Sequence, residues 1–114
     1  MAITGAHALL YSSQPDELRA VLRDIFGFDH VDAGQGWLIF KLPPAEVAVH
    51  PGEAPAHELT FMCDDLAATM DELRGKGIAF KGEPSDQGWG VVAYMLLPGG
   101  LEVMLYEPRH PTAN

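Results

Sequence analysis

Cysteine is nearly absent from this chain. The single Cys63 excludes an internal disulfide framework and fits a reducing compartment, so a cytoplasmic protein is expected. Basic residues are scarce as well: 7 Lys plus Arg against 16 Asp plus Glu leave a net charge of −9. Nucleic acid, which is held by clustered Lys and Arg, is therefore a poor partner, and so is an anionic membrane surface. No run of about 18 apolar residues exists to span a bilayer. The opening MAITGAHALL has no basic segment ahead of its short apolar run, so no secretion signal is expected. An acidic balance suits metal cations, cationic ligands or plain solubility.

What is present is an ordinary globular composition, 47% apolar and 20% charged, over 114 residues. That is one domain with a sizeable core. Nine prolines and twelve glycines imply short elements separated by frequent turns. Residues 3–12 alternate as a strand with Gly5, His7, Leu9 and Tyr11 on one face. SSQPDELRAVLRDIFGF then reads as a helix. Pro15 sits near its first position, Asp16 and Glu17 in its first turn, Leu18, Val21, Leu22 and Ile25 on one face, and Gly27 just past its end. Three short strands are expected around 28–31, 36–42 and 45–50. The order then recurs. AHELTFMCDDL is a strand with His57, Leu59, Phe61 and Cys63 on one face and Glu58, Thr60 and Met62 on the other. A helix follows over 65–76, then strands at 78–81, 90–97 and 101–106 and a proline-containing tail.

The chain thus reads βαβββ twice, over about 1–52 and 54–109, with a tail at 110–114. Two stretches superpose without gaps. AHALLYSSQPDEL beside AHELTFMCDDLAAT matches His7 with His57, and AEVAVHP beside LEVMLYEP matches Glu46 with Glu102. The His-to-Glu spacing is six residues longer in the second half (102 − 57 against 46 − 7), a difference a surface loop absorbs. An internal repeat of this kind is a strong architectural signal. If each half curls into a half-open cup, two facing cups collect His7, Glu46, His57 and Glu102. Two imidazoles and two carboxylates suit a divalent Ni, Co, Zn, Mn or Fe ion with positions left for substrate. His50 and Tyr106 share the faces of Glu46 and Glu102, as pocket-lining groups or as structural hydrogen-bonding ones. Trp37 and Trp89 are either an apolar wall for a ligand or ordinary packing residues.

These stretches, together with LRDIFGF and LLPGGLEVMLYEP, make the chain resemble the vicinal oxygen chelate superfamily, which takes in glyoxalase I, extradiol dioxygenases and bleomycin-resistance proteins. The resemblance implies an α+β fold of two βαβββ modules forming cupped mixed sheets, with helices outside. It places His7, Glu46, His57 and Glu102 at the positions of the glyoxalase I metal ligands. It implies a divalent-metal-dependent enzyme of the isomerase or lyase type acting on a small substrate chelated through neighbouring oxygens, with Glu102 or Glu46 as the proton-moving group. An Fe(II) ring-cleaving dioxygenase using His7, His57 and Glu102, or a non-catalytic drug- or metabolite-binding protein, are the alternatives. A homodimer is implied too, since members of the superfamily pair their modules within a chain or swap them across a two-fold axis.

Overall fold

The computed structural model describes residues 6–114. Residues 3–5 of the expected first strand, Gly5 among them, lie outside that range. Helix α1 runs Pro15–Ala20 and passes into a π-helical turn, Val21–Ile25. A hairpin of β1 (His30–Asp32) and β2 (Leu38–Phe40) comes next, followed by β3 (Thr60–Met62), α2 (Leu66–Gly75), β4 (Ala79–Asp86), β5 (Gly90–Leu97) and β6 (Leu101–Pro108). None of the described helices is long and apolar enough to cross a membrane.

The second half forms a four-stranded mixed sheet in the order β3-β6-β5-β4. The β3–β6 pair is parallel; the other two pairs are antiparallel. A crossover through α2 is what lets consecutive strands lie apart in such a sheet. Asp65 caps α2, its carboxylate accepting from the Ala68 amide at 3.0 Å, and Glu107 on β6 accepts from the Leu66 amide at 3.0 Å. Two of the helix's first free N–H groups are thereby satisfied, one of them from the sheet itself.

One face of this sheet carries the core. Met95, Leu97, Val103 and Leu105 pack there against Leu66 and Met70 of α2 and against Leu18 and Val21 of the first half. Phe61 and Cys63 join the same side. Phe26, Phe28 and Phe61 extend it as an aromatic trio with centroids 5.6–5.8 Å apart, the spacing that aromatic edges and faces prefer.

The first half departs from expectation. Only β1 and β2 pair there, while residues 6–12 and 41–59 form no described strand. The expected strand over 56–63 is thus confined to Thr60–Met62. A strand needs a neighbour to satisfy its backbone groups, and among the described residues none pairs with these stretches. Its Cα radius of gyration is 15.1 Å, against about 13 Å for a compact domain near this length. Beside the shared core, two hydrogen bonds tie the start of α1 to the β5–β6 turn. Ser12 donates its hydroxyl to the Pro98 carbonyl at 2.7 Å, and Gly99 donates its amide to the Gln14 side chain at 3.1 Å. The β5–β6 turn therefore rests on the residues that begin α1.

Candidate functional site

The other face of the sheet is open. Strand alternation places Met62, Val92 and Tyr106 in one row across it and Thr60, Met104, Tyr94 and Lys81 in the next. Glu102 lies beyond them, opposite Leu96. Tyr94 and Leu96 are each 40% exposed, and Trp89 at the rim is 46% exposed. Isolated surface apolar residues need no explanation, but a contiguous sheet face of them marks a site of contact.

Glu102 is the one carboxylate on β6 that falls on this face. Lys81 Nζ donates to its Oε1 at 3.0 Å across two strands. Toward the other end, Trp89 meets Tyr106 edge-on at 5.4 Å. The Tyr106 hydroxyl lies 3.4 Å from His110 Nε2, and the tail continues to Glu46, whose Oε2 accepts from the Ala113 amide at 3.3 Å. Burial, reinforced by the nearby Glu46 charge, pushes the Tyr106 phenol above its usual range. The structure therefore brings Glu46, Tyr106 and Trp89 together at one end of the open face, with Glu102 and Lys81 at the other.

Other expected site residues stand apart. Trp37 is 65% exposed and carries the Arg19 guanidinium 5.1 Å from its ring centroid, a cation–π contact beside α1 rather than a wall shared with Trp89. His7, His50 and His57 are exposed. Among the described residues, no three His, Cys, Asp or Glu side chains gather into a group that could hold a metal. His7, Glu46, His57 and Glu102 do not meet within one chain, and a divalent ion has no donor set there. Within one chain, the placed residues do not assemble the expected metal site.

A pocket of about 270 Å³ opens on the helix-bearing side instead, among Phe26, Phe28, Phe61, Leu73 and Pro43. Its charged groups, Glu72 and Lys76, pair with each other at 3.3 Å, which leaves no convergent polar group to orient a ligand. The open sheet face is the better candidate site. Lys81 and Tyr94 were missed as members of it. The signal for them was the period-two alternation of 79–86, 90–97 and 101–108, which becomes informative once the cross-strand register is known.

A family model described as the glyoxalase/bleomycin resistance protein/dioxygenase superfamily matches residues 5–109. No curated protein matches the sequence. Among solved structures, the chain is similar to TnmS3, an antibiotic binding protein from Streptomyces sp. CB03234, at 25% identity and a TM-score of 0.68, over 95% of this chain and 98% of that one. It is also similar to a lactoylglutathione lyase from Agrobacterium tumefaciens, with 18% identity, a TM-score of 0.65 and coverage of 93% and 94%. A superfamily member from Sphaerobacter thermophilus DSM 20745 gives 19% identity and a TM-score of 0.62, over 91% and 97%.

Proposed function

The chain belongs to the glyoxalase/bleomycin resistance protein/dioxygenase superfamily, and from that premise we propose that it binds a small aromatic molecule without a metal, in a cup closed by a second copy of itself. The observation that carries this reading is the open sheet face, apolar and aromatic through Met62, Trp89, Tyr94 and Tyr106. The resemblance to an antibiotic binding protein supports a small-molecule ligand.

The second copy supplies what the first half lacks. Leu9, Tyr11, Val47 and Val49 are 62–94% exposed on segments without ladder partners, and such strips are stable only when covered. In a two-fold pair, the first half of each chain covers the open face of the other, an isologous arrangement. A cytoplasmic homodimer is part of this proposal.

Calorimetry with a panel of planar aromatic antibiotics, each run with and without EDTA, tests it. Micromolar binding that EDTA leaves unchanged is expected, in a particle of twice the 12.4 kDa chain mass. Absence of binding across the panel, or a monomer at micromolar concentration, refutes it.

A second reading is a divalent-metal-dependent lyase or isomerase, or an Fe(II) dioxygenase, with His7, Glu46, His57 and Glu102 drawn together from two chains. It is favoured by the place of Glu102 on the open face, exposed beside Lys81 rather than buried in the core. Stoichiometric metal uptake by the dimer, lost in Glu102→Ala, would select it.

A further inference from the structure

We infer that the second module turns Glu58, not His57, into the cup, where it is a specificity-determining residue in register with Glu102. The inference rests on the cup reading above, but three local observations carry the register. The first is the ladder. Thr60 pairs with Met104, Phe61 with Leu105 and Met62 with Tyr106. Two further steps back along this parallel pair set residue 58 opposite Glu102, and since side chains alternate, residue 58 takes the open face of Thr60 and Met62. His57 then takes the face of Phe61 and Cys63, which pack against the core. Leu59 fits this, being half-buried between exposed Glu58 and half-buried Thr60.

The second observation is the helix cap. The N-caps are Gln14 for α1 and Asp65 for α2. His7 stands seven residues before the first, and the residue seven before the second is Glu58. The third is packing at a fixed distance from those caps. Leu10 and Phe61 both lie four residues ahead of their caps, and both pack against the core. Indexed this way, the repeat runs one residue out of step with the alignment that matches His7 to His57. One residue is enough to send every side chain of a strand to the opposite face.

The cup's polar groups then become one imidazole, His7, and three carboxylates, Glu46, Glu58 and Glu102, with Lys81 engaging only Glu102. A ligand carrying a protonated amine beside its aromatic rings is favoured over a neutral or anionic analogue, because its charge finds a carboxylate in a partly desolvated site.

Two measurements test this. In a Cys63→Ser background, the double variants Glu58→Cys/Glu102→Cys and His57→Cys/Glu102→Cys are treated with mild oxidant and scored by mass. Directly paired residues on one face meet the distance a disulfide requires, whereas Cβ vectors on opposite faces do not. Bridging through position 58 alone is expected. Bridging through 57, or through neither, overturns the register.

The second measurement is titration with a cationic acridine dye and an anionic naphthalenesulfonate. Wild type should prefer the cation, and Glu58→Gln should weaken its binding about tenfold, more than His57→Gln does. The reverse order overturns the specificity role. A wild-type protein that binds neither dye overturns the cup reading itself, and the crosslinks tell that failure apart from a wrong register.

Discussion

Gly99 carries one of the two hydrogen bonds that tie the β5–β6 turn to the start of α1, and replacing it with alanine measures that clamp. Its φ of +85° lies in the left-handed region, where an alanine costs about 1–2 kcal/mol. Space is a separate matter. A Cβ on Gly99 would run into the Ser12 hydroxyl and come within 3.0 Å of the Ser13 amide and 3.1 Å of Ser12 Cβ. Two of these atoms are within one bond of backbone, so the turn must lift. Lifting it strains the Ser12 hydroxyl bond to Pro98 and the Gly99 amide bond to Gln14, at about 0.5–1.5 kcal/mol each. Gly99→Ala should therefore cost about 2–5 kcal/mol.

Gly100 supplies the control. Its φ is +77°, but a Cβ there meets nothing within 4 Å, so Gly100→Ala should cost only the backbone share, about 1–2 kcal/mol. Urea unfolding followed by circular dichroism gives both values, with unchanged m-values confirming that only stability moved. A Gly99→Ala cost within about 0.5 kcal/mol of Gly100→Ala would mean that the turn does not rest on Ser12. Ser12→Ala should also blunt the Gly99→Ala effect, because the two residues share a contact and their costs are not additive.

Three further outcomes follow from the same geometry. Glu107→Ala should lower stability by about 1 kcal/mol, the usual worth of a helix-cap acceptor, with Glu107→Gln milder; thermal unfolding reads both. Burial foremost, with the charges of Glu107, Asp64 and Asp65 behind it and the Thr69 hydroxyl opposing, pushes the Cys63 thiol up. Its reaction with a disulfide reagent at neutral pH should therefore be at least about tenfold slower in the folded chain than in urea, and equal rates would refute the burial. Tyr106 should ionise above the ordinary tyrosine range when absorbance at 295 nm is followed upward in pH, and Tyr106→Phe should remove that late component. Its folded pKa is raised, so the unfolded chain releases the proton first. The associated stability is complete below the ordinary value of about 10 and falls as pH rises from there through the folded pKa.

The second half was legible in the sequence because its signals are local. GVVAYMLL stands between glycine turns, LEVMLY follows one, and β5 covers Gly90–Leu97 as the alternation indicates. Helix α2 opens on a carboxylate cap with a helical apolar face behind it, and it falls within the expected span. The first half carried equally good strand patterns at 6–12 and 45–50, but a pattern fixes which residues share a face, not what that face will meet. Where no neighbouring strand is in reach within the chain, the pattern stays unpaired. The π-helical turn at Val21–Ile25 was likewise out of reach of periodicity. It widens the helix just before Gly27, where the Phe28 amide reaches the Leu22 carbonyl at 3.0 Å.

The candidate site was legible only in part, for a reason that can be stated residue by residue. Alternation alone puts His57 with Phe61 and Cys63, and Glu102 with Met104 and Tyr106. Nothing in the sequence says which of these two sets faces the helices. The structure places Phe61 and Cys63 against the core with Leu105, and Tyr106 on the open face beside Trp89. On the register inferred above, His57 and Glu102 fall on opposite faces, which an ungapped repeat alignment has no means of showing, because matching Ala-His to Ala-His rewards identity over phase. The helix cap fixes the phase: it is held by a definite bond, from the Ala68 amide to Asp65, and counting back from it is counting along the strand that feeds the site. By that count the residues to compare across the repeat are His7 and Glu58. On the inferred register, a repeat that exchanges an imidazole for a carboxylate at the inward position keeps the proposed cup and alters what it attracts.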